Sequence, residues 1–502
     1  MSRGLRAGRA NLGVMERSEA EAVYDAGREA CVELLLELTT RYEREVARLE
    51  ERVARLEEES RKDSSNSSSP PSQDPPASRA ERRAAAREKA KQWARREGER
   101  KPGAQPGHEG FARKLLPEDQ LDEIVEHYPA ACEGCGHEFS EEERELSERF
   151  GRHQVAELPP IAVIWCEHRT HRLRCACCGE RTTAKLPAGV GDSPFGPGLQ
   201  ATVVSLTARN RVSRRDMSEL ARDLFGLPLS VGAVDKVCQR AALALSGPHE
   251  LLVGQVLASP AVNVDETGWF TAHDQRTLWT ATTPEAAIFR IAEDRHRDRL
   301  KELLGAGFKG IVGSDRWWAY ELIDPACRQA CWEHLKRDFA FHAAGALAEQ
   351  KQFGEAGSEL TKRLFQTWHA FGEHSDRERL AREMAPVQAE LHELLEHAAR
   401  KSTYTRFHRR FAKNLIKISP ALWTFVTVEG VAPTNNAAER ALRGPVIHRK
   451  LSHGTQSEDG ERFIERALSA SVTCRLQHRS LFAYLRELLT AHARGDPLPA
   501  LV

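Results

Sequence analysis

Three acidic residues in three unlike settings have the chemistry of a metal site. Asp265 closes a β-branched run at 261–264, Asp315 closes another at 308–313, and Glu439 opens a stretch typical of a helix. Carboxylate oxygens are the ligands that Mg²⁺ prefers, and two such ions can hold the attacking and leaving oxygens of a phosphodiester displacement. The three residues therefore predict a Mg²⁺ or Mn²⁺ site that acts on a nucleic acid backbone.

Each of these carboxylates also has a purely structural interpretation. Asp265 begins Asp-Glu-Thr-Gly, where an aspartate can accept turn N–H bonds, and Asp315 after Ser314 could cap a helix. Glu439 stands three positions after Asn436, which is the spacing of a capping box. The order of two strand ends and a late helix favours the metal site. So do the cationic neighbours that would suit a DNA backbone, all of which except His448 are predicted DNA-binding residues: Arg440, Arg443, His448, Arg449 and Lys450.

A second polar cluster follows the predicted fifth strand. His334 could hydrogen-bond a substrate phosphate or the attacking water, and Lys336 or Arg337 could neutralise charge. A surface helix with alternating charges is the competing interpretation. We take His334 as a further catalytic candidate and the two cations as DNA-binding candidates. Glu333 and Asp338 are reserve metal ligands.

The hydrophobic pattern that must position the three acids changes to short strands at about residue 261. Strands are predicted at 261–264, 277–281, 287–291, 308–313 and 327–332, with a helix at 295–304 before the fourth strand. This order is the opening of a ribonuclease H-like α/β fold, in which the first and fourth strands are neighbours. That adjacency would bring Asp265 close to Asp315. Residues 345–428 are predicted as a helical insertion, and 435–489 as helical again.

Two Cys-x-x-Cys knuckles, each followed by glycine, predict a structural zinc site. Cys132 and Cys135 form the first, Cys175 and Cys178 the second, and 155–173 between them has strand-like sequence. Two such knuckles complete a closed tetrahedral S₄ site. Cys177 competes with Cys178, buried free thiols are the alternative, and three further residues could substitute as ligands: Cys166, His137 and His171.

The stretch from 198 to 245 is predicted as helices arranged like a helix-turn-helix. A Gly-Leu-Pro-Leu turn at 226–229 separates two helical segments, and Ser230 suits the N-cap of the second. Lys236 and Arg240, with Gln239, are the few side chains of that second helix suited to DNA. Plain helix packing is the competing interpretation.

The N-terminal part predicts self-association followed by a polar connection. A heptad seam flanked by Glu and Arg predicts a coiled coil, with a helix docked on its own protein as the alternative. The seam consists of Val32, Leu35, Thr39, Tyr42, Val46, Leu49, Val53 and Leu56. Residues 61–78 form a polar linker, 79–101 a basic stretch that would add phosphate affinity, and 101–108 a Pro-Gly hinge.

Bulk properties narrow the class of protein. The 502 residues exceed what one core usually holds, and the formal net charge of zero leaves DNA affinity to local basic segments. There is no signal-like or roughly 18-residue apolar run, so we expect a cytoplasmic protein, nucleoid-associated when bound to DNA, with no membrane partner. In that compartment the 11 cysteines indicate metal ligation or burial instead of disulfides.

Taken together, these segments resemble the insertion-sequence 66 family of DDE transposases. The likeness rests on the coiled coil, the hinge at 101–110, the two knuckles, Val-Asp-Glu-Thr-Gly-Trp at 264–269, Ser-Asp-Arg-Trp-Trp-Ala-Tyr at 314–320, Cys-Trp-Glu-His-Leu-Lys-Arg-Asp-Phe at 331–339 and Asn-Asn-Ala-Ala-Glu-Arg-Ala-Leu-Arg at 435–443. Where that family has Leu-Pro-Leu-Tyr-Arg, this chain has Arg-Val-Ser-Arg-Arg-Asp-Met at 211–217.

The resemblance implies roles for residues that the motifs contain. Asp265, Asp315 and Glu439 would carry the DDE roles with divalent ions, and the four knuckle cysteines would bind zinc. Activated water would nick the end of the element, and the freed 3′-hydroxyl would attack target DNA. The partners would be terminal inverted repeats, target DNA, a second copy in a homodimer or larger synaptic complex, and possible accessory proteins of the element.

The expected architecture is a multidomain α+β protein. Its parts are a coiled coil at 17–60, a disordered linker and basic segment at 61–115, a zinc ribbon-like module at 120–190, helix-turn-helix-like helices at 195–248, a ribonuclease H-like core at 255–340 and 431–470, a helical insertion at 341–430 and a helical C-terminus at 471–502. Two other functions compete with the transposase: a transposase-derived DNA-binding protein without catalysis, and a ribonuclease or junction nuclease on the same fold.

Overall fold

The chain is a mixed helical and sheet protein with two compact units. The computed structural model describes residues 17–60, 115–159, 161–190, 193–305, 307–345, 347–400 and 406–501. The first unit joins Met1–Pro76 to Gln329–Thr434, and the second joins Ala77–Arg328 to Asn435–Val502. The predicted linker, basic stretch and hinge lie outside the described residues.

The described residues form sixteen α-helices and seven strands. The strands are β1 (Arg172–Arg174), β2 (Arg181–Thr183), β3 (Ala261–Thr271), β4 (Asp274–Thr282), β5 (Ala287–Ala292), β6 (Ile311–Ser314) and β7 (Arg328–Ala330). The helices are α1 (Arg17–Asp25), α2 (Arg28–Ser60), α3 (Glu141–Glu145), α4 (Pro197–Ala208), α5 (Arg214–Phe225), α6 (Val231–Ala244), α7 (Ser246–Ala258), α8 (Arg297–Leu304), α9 (Trp332–Ala343), α10 (Ala348–His374), α11 (Arg377–Arg400), α12 (Arg406–Lys417), α13 (Ser419–Thr427), α14 (Asn436–Ser452), α15 (Glu458–Leu476) and α16 (Leu481–Arg494).

Five strands make a mixed sheet in the order β5-β4-β3-β6-β7. The pairs β5–β4 and β4–β3 are antiparallel, whereas β6 runs parallel to β3. The first and fourth strands of the sheet are therefore neighbours, as the strand order predicted. Large apolar side chains that include Trp269, Trp279 and Phe289 are fully buried and belong to one continuous core with the surrounding helices.

The first strand is longer than the sequence indicated. The pattern predicted its end at residue 264, but β3 continues to Thr271 because every residue from Asn263 onward pairs with β4. Ala272 and His273 make the turn with φ of 49° and 83°, which matches a two-residue hairpin of right-handed twist. Asp265 therefore lies within a paired strand and not at a strand end.

The helices at 195–248 have strong local signals. Ser213 accepts the Asp216 N–H (3.1 Å) at the start of α5, and Gly226 ends that helix with a φ of 60°. Ser230 accepts the Ala233 N–H (3.1 Å), so its predicted N-cap role at α6 is confirmed. α4, α6, α15 and α16 contact one another and share the core of the second unit.

Helices α9 to α13 lie in the second segment of the first unit, Gln329–Thr434. α9 and α10 approach closely because glycine occupies two contact positions. A Cβ at Gly354 would lie 2.0 Å from the Ala343 nitrogen, and one at Gly357 would lie 2.1 Å from the Phe339 ring. α11 then packs on α10, α12 and α13.

The N-terminal helix α2 carries the predicted heptad seam. It is 33 residues long, and α1 contacts it. The seam side chains whose placement is described are exposed, from 48% for Val32 to 72% for Tyr42. The coiled coil stays a prediction, since within the described residues these seam side chains are not covered.

Candidate active site

The parallel ladder between β3 and β6 places two of the three predicted acids side by side. Its register pairs Ala261 with Ile311 and Asn263 with Gly313. Continuing this register by two residues sets Asp265 opposite Asp315. Residues in register on parallel strands point to the same face, and neighbouring strands lie about 4.8 Å apart. Two carboxylates therefore share one face of the sheet where β6 ends.

The third acid is brought to the same strand by the start of α14. The buried Asn435 side chain donates a hydrogen bond to the Val264 carbonyl (2.9 Å), one residue before Asp265. Glu439 follows in the first turn of α14 and is half-buried. Asn435 is the N-cap residue and makes no side-chain cap bond. The capping-box interpretation of Glu439 is therefore wrong, because the helix begins with its cap side chain attached to the sheet.

The charges of the other acids act on Asp265, although the carboxylate oxygens of Asp265, Asp315 and Glu439 do not all lie within 4.8 Å of one another. Burial raises the pKa of Asp265 well above its ordinary value, and the charges of Glu266, Asp315 and Glu439 raise it further. A hydrogen bond from the Glu266 N–H opposes that shift only in part. Clustered carboxylates that cannot all ionise at low cost are a frequent property of metal and catalytic sites.

Glu266 lies on the opposite face of β3 and anchors the segment that carries Asp315. Its side chain is fully buried and accepts hydrogen bonds from the Tyr320 hydroxyl and the Arg295 guanidinium. Burial raises the pKa of Glu266, and the charge of Asp315 raises it further, against the effect of Arg295. Arg295 in turn lies 4.1 Å above the Trp317 ring. The two adjacent acids of β3 therefore point to opposite faces of the sheet. Asp265 faces the other candidate acids, and Glu266 faces Tyr320 and Arg295.

A buried arginine holds the same segment from the other side. Arg328 is 2% exposed and donates to the Ser314 hydroxyl (3.0 Å), the Tyr320 carbonyl (3.3 Å) and the Asp315 carbonyl (2.5 Å). Burial lowers the pKa of Arg328 to about 10, so it stays charged at neutral pH. The Asp315 carboxylate also accepts the Trp317 N–H (2.9 Å), which closes a turn. The predicted capping role is wrong, because the 3-10 helix Trp318–Leu322 has Trp317 as its N-cap and no side-chain cap bond.

Sequence reasoning missed the anchoring residues. Glu266 directly follows Asp265, and Tyr320 stands five positions after Asp315. Both lie inside the motifs that carry the family resemblance, so their positions could have marked them as part of the site. Arg295 and Arg328 gave no such signal, because each acts through contacts between segments distant in sequence.

The cations after Glu439 separate into exposed and inward-facing groups. Arg440, Arg443 and Lys450 are exposed on α14. Arg449 is half-buried and donates to the Thr267 hydroxyl (3.2 Å) and the Gly268 carbonyl. His448 is buried, and burial, with Arg214 and Arg211 nearby, lowers its pKa to about 4. Counting His448 among the cations suited to DNA was wrong, because it is neutral at physiological pH.

The second predicted cluster lies on α9, which belongs to the first unit. His334 is half-buried there. Lys336 pairs with Glu333 (3.5 Å) and lies 5.6 Å from the Phe365 ring centre, and Arg337 donates to the Glu333 carbonyl (3.4 Å). The three principal acids lie in the second unit.

The predicted DNA-reading helix α6 buries its apolar face in the core of the second unit. Lys236 is exposed and Arg240 is half-buried. Gln239 donates to Asp235 (2.9 Å), which also pairs with Arg214 (2.8 Å). Of the two predicted DNA-contacting cations of α6, Lys236 is therefore the exposed one.

The two cysteine knuckles have the same backbone geometry. In the first, the Cys132 N–H donates to the His137 carbonyl and the Gly136 N–H to the Cys132 carbonyl, both at 2.8 Å. The second repeats the pattern around Cys175, with distances of 2.7 and 2.9 Å. The glycines after the knuckles have φ of 79° and 77°.

The knuckle geometry favours thiolates. Main-chain N–H groups of Cys135 and Gly134 lower the pKa of Cys132, and those of Cys178 and Cys177 lower that of Cys175. Each knuckle thus suits a pair of zinc ligands, although no three of the four predicted ligand sulfurs lie within 4.8 Å of one another. The strand expected over 155–173 is limited to β1 at Arg172–Arg174, because none of the described residues covers exposed side chains such as Ile164 and Trp165.

The length and apolarity of a helix decide whether it can span a membrane. In the part of the chain that the structure describes, no helix is both long and apolar enough to cross a bilayer.

Comparison with known proteins places the chain in a family. The family model described as "Transposase IS66 family" matches residues 192–462, and a family of unknown function matches residues 15–114. The uncharacterized protein y4hP of Sinorhizobium fredii is 26% identical over 427 residues, which cover 75% of this chain and 73% of the relative. The uncharacterized protein y4qI of the same organism is 24% identical over 439 residues, covering 80% and 77%. The matched family segment contains all three clustered acids, and the chain belongs to the IS66 transposase family.

Proposed function

We propose that this protein is a DNA transposase that uses Asp265, Asp315 and Glu439 to cut and join DNA at the ends of an insertion sequence. The observation that carries this proposal is the convergence of charge at one face of the sheet, where Asp315 and Glu439 raise the pKa of Asp265. Family membership supports the same reaction class. We also infer that the sheet with α14 is a ribonuclease H-like core.

The donor set fits a divalent cation. Asp265, Asp315 and Glu439 offer carboxylate oxygens only, which suits Mg²⁺ or Mn²⁺. Their mutual repulsion would be relieved by a bound cation, as the raised pKa of Asp265 indicates. A divalent ion held there would supply Lewis-acid activation of the attacking oxygen and charge neutralisation on the leaving oxygen.

The surrounding residues would keep the acids in place. Arg328 and the Glu266–Tyr320 pair fix the segment that bears Asp315, and Asn435 fixes the start of α14 that bears Glu439. The exposed Arg440, Arg443 and Lys450 would bind the DNA backbone near the cluster. His334, Lys336 and Arg337 remain candidates for contacts with substrate.

Two further features belong to the same proposal. The four knuckle cysteines would bind a structural zinc ion, because each knuckle already lowers the pKa of its first thiol. The exposed seam of α2 would pair with a second copy as a coiled coil, which would help to hold two element ends in one synaptic complex.

A plasmid assay tests the proposed reaction. The substrate is a supercoiled plasmid that carries the gene with several hundred base pairs of native flanking sequence, and the product is nicked or joined DNA in the presence of Mg²⁺ or Mn²⁺. We expect Asp315→Asn and Glu439→Gln to lose activity, whereas the matched variant Asp274→Asn, at an exposed position of the same sheet, keeps it. Full activity of Asp315→Asn would refute the proposal.

The same assay addresses the competing functions. DNA binding without metal-dependent cleavage by the wild type would favour a transposase-derived DNA-binding protein. Equal cleavage of RNA–DNA hybrids or of four-way junctions that lack the flanking sequence would favour the nuclease alternative.

A further inference from the structure

Helix α12 in the first unit has one face that is entirely basic. Its twelve residues, Arg-Phe-His-Arg-Arg-Phe-Ala-Lys-Asn-Leu-Ile-Lys, contain five Arg or Lys and no acid. Four of these cations are exposed at spacings of four, three and four residues, which places them along one line of the helix surface. This basic stripe consists of Arg406, Arg410, Lys413 and Lys417.

The opposite face of α12 is already used by the fold. Phe411 packs edge-on against Phe339 with ring centres 5.6 Å apart and lies 4.7 Å from the His342 ring. Ala412 and Leu415 are fully buried. A basic amphipathic helix can bind a membrane surface only by inserting its apolar face, and here that face is buried inside the unit.

The neighbouring helix α11 differs from α12 in carrying acids beside its cations. α11 packs on α12 and carries five glutamates, of which four pair with arginines outside α12. The pairs are Glu378–Arg382 (3.9 Å), Glu383–Arg379 (2.7 Å), Glu390–Arg363 (2.6 Å) and Glu396–Arg400 (2.7 Å). Helix α11 thus mixes both signs along its surface, as solvated helices usually do, and α12 does not.

We propose that the basic stripe of α12 binds the phosphate backbone of duplex DNA. The helix rises about 17 Å from Arg406 to Lys417, which corresponds to about five base-pair steps of 3.4 Å. The stripe consists of flexible charged side chains on a helix surface, and no loop holds them against the edges of the bases. The contact is therefore independent of DNA sequence. The inference rests on the proposed function only in taking DNA as the substrate, and it assigns DNA contact to the helical insertion.

A salt titration of the full-length protein tests the stripe. The probe is a fluorescent duplex of about 30 base pairs with arbitrary sequence, and binding is measured between roughly 0.05 and 0.3 M salt, where each phosphate contact contributes about 0.9 to the slope of log K against log salt. For Arg410→Gln/Lys413→Gln we expect the slope to fall by about 1.8 and the affinity near 0.1 M salt to drop about tenfold or more.

The control removes the same charge from the same unit. Arg379→Gln/Arg382→Gln also deletes two exposed cations, but these pair with glutamates of their own helix. We expect its slope to match the wild type. Thermal unfolding of both variants identifies any loss of folding, and a stripe variant that unfolds early is replaced by the single changes Arg410→Gln and Lys413→Gln, each expected to lower the slope by about 0.9.

Three outcomes would overturn the inference. They are an unchanged slope in the stripe variant, an equal fall in both double variants, and a selective loss of binding to phosphatidylserine vesicles with DNA binding intact. If the slope is unchanged while the wild type still cleaves the plasmid, the stripe fails and the proposed function stands. If the wild type cleaves nothing but the slope of the stripe variant falls as expected, the proposed function fails and the DNA contact of the stripe stands.

Discussion

The centre and the edge of the five-stranded sheet both carry a buried acid, but the two acids have different surroundings. At the edge, burial raises the pKa of Glu465 to about 7, and its carboxylate accepts the Ile291 N–H (2.6 Å). At the centre, Asp265 has its pKa raised by burial and by three other acids. A raised pKa alone therefore does not identify a functional site; the identity of the neighbouring groups does.

The edge acid belongs to a ladder of side chains that completes the sheet. Glu465, Ser469 and Thr473 of α15 accept the outward N–H groups of alternate β5 residues, with distances of 2.6, 3.0 and 3.0 Å. Four residues of helix rise about 6.0 Å and two residues of strand about 6.7 Å, so the two spacings nearly match. The helix thereby protects an edge strand that would otherwise be open to pairing.

At the centre, the Asp265 carboxylate accepts the N–H of the adjacent Glu266 (3.0 Å), and not that of a neighbouring element. The anchoring cation Arg295 pairs with Glu266 on the other face of β3. Each acid accepts one main-chain N–H, but the charge of Glu461 on Glu465 is opposed by Arg290 and Arg466, whereas the causes of the Asp265 shift include three acids and no cation. A divalent cation would relieve that condition.

The largest expected effect is at Asp265. Asp265→Asn should lower metal-dependent cleavage about a thousandfold or more, because the electrostatic stabilisation is lost. In a chelator at pH 7.5 the same variant should raise the free energy of unfolding, since a neutral amide ends the repulsion. The pKa of Asp265 is raised in the folded protein, so its ionisation destabilises the wild type as the pH rises above the ordinary value of 3.8. The extra stability of Asp265→Asn should therefore vanish at pH values below 3.8. A destabilised Asp265→Asn protein at pH 7.5, seen by chemical denaturation, would contradict this.

The second largest effect should be stabilisation of the protein by a divalent metal, which should depend on Asp265 and not on Glu465. At about one hundred times its dissociation constant, Mg²⁺ or Mn²⁺ should stabilise the wild type by about 2.7 kcal/mol. The gain should be small in Asp265→Asn and unchanged in Glu465→Gln. Thermal unfolding with and without metal measures this, and equal stabilisation of all three proteins would place the bound ion elsewhere.

The edge acid should show itself in the pH dependence of stability. Its folded pKa of about 7 exceeds the ordinary value of 4.5, so its contribution is full below pH 4.5 and is lost as pH rises through 7. Glu465→Gln should remove that decline and leave the protein about 2 kcal/mol more stable at pH 8. Denaturation series at pH 5 and pH 8 test this, and cleavage activity, within twofold of the wild type, is the control.

The smallest effect is expected at Tyr320, whose hydroxyl donates to Glu266 on the face of β3 opposite Asp265. Tyr320→Phe removes the hydroxyl donated to Glu266, which should cost about 1–2 kcal/mol of stability and lower cleavage about tenfold by loosening the Asp315 segment. Tyr484→Phe is the matched control, because its hydroxyl donates to the Pro499 carbonyl away from the cluster. Equal activity losses in both variants would show that the Tyr320 effect is only one of stability.

Local patterns predicted a good part of this architecture. The strand and helix order predicted that β3 and β6 are neighbours, and the Ser230 cap was legible because an N-cap bond joins residues three apart. The extent of β3 was not predicted, because its second half is fixed by pairing with β4 and not by its own alternation. The edge ladder of α15 had no signal, since polar residues at helical spacing look like an ordinary solvated face.

The cations after Glu439 show the same limit at the site itself. Their types and spacing predicted a basic surface, and three of them are exposed on α14. The burial of His448 and the attachment of Arg449 to Gly268 depend on how α14 lies across β3. A side chain's charge is therefore set by its environment as much as by its type.

The order of residues alone determined which groups are available: carboxylates in three motifs, paired thiols before glycine, and a helix with cations on one side. Only the folded chain decided which of them meet. The register of two parallel strands put Asp265 across from Asp315, and one buried amide tied the start of α14 to Val264. Such choices depend on contacts between distant segments, whose energies no short stretch of sequence contains.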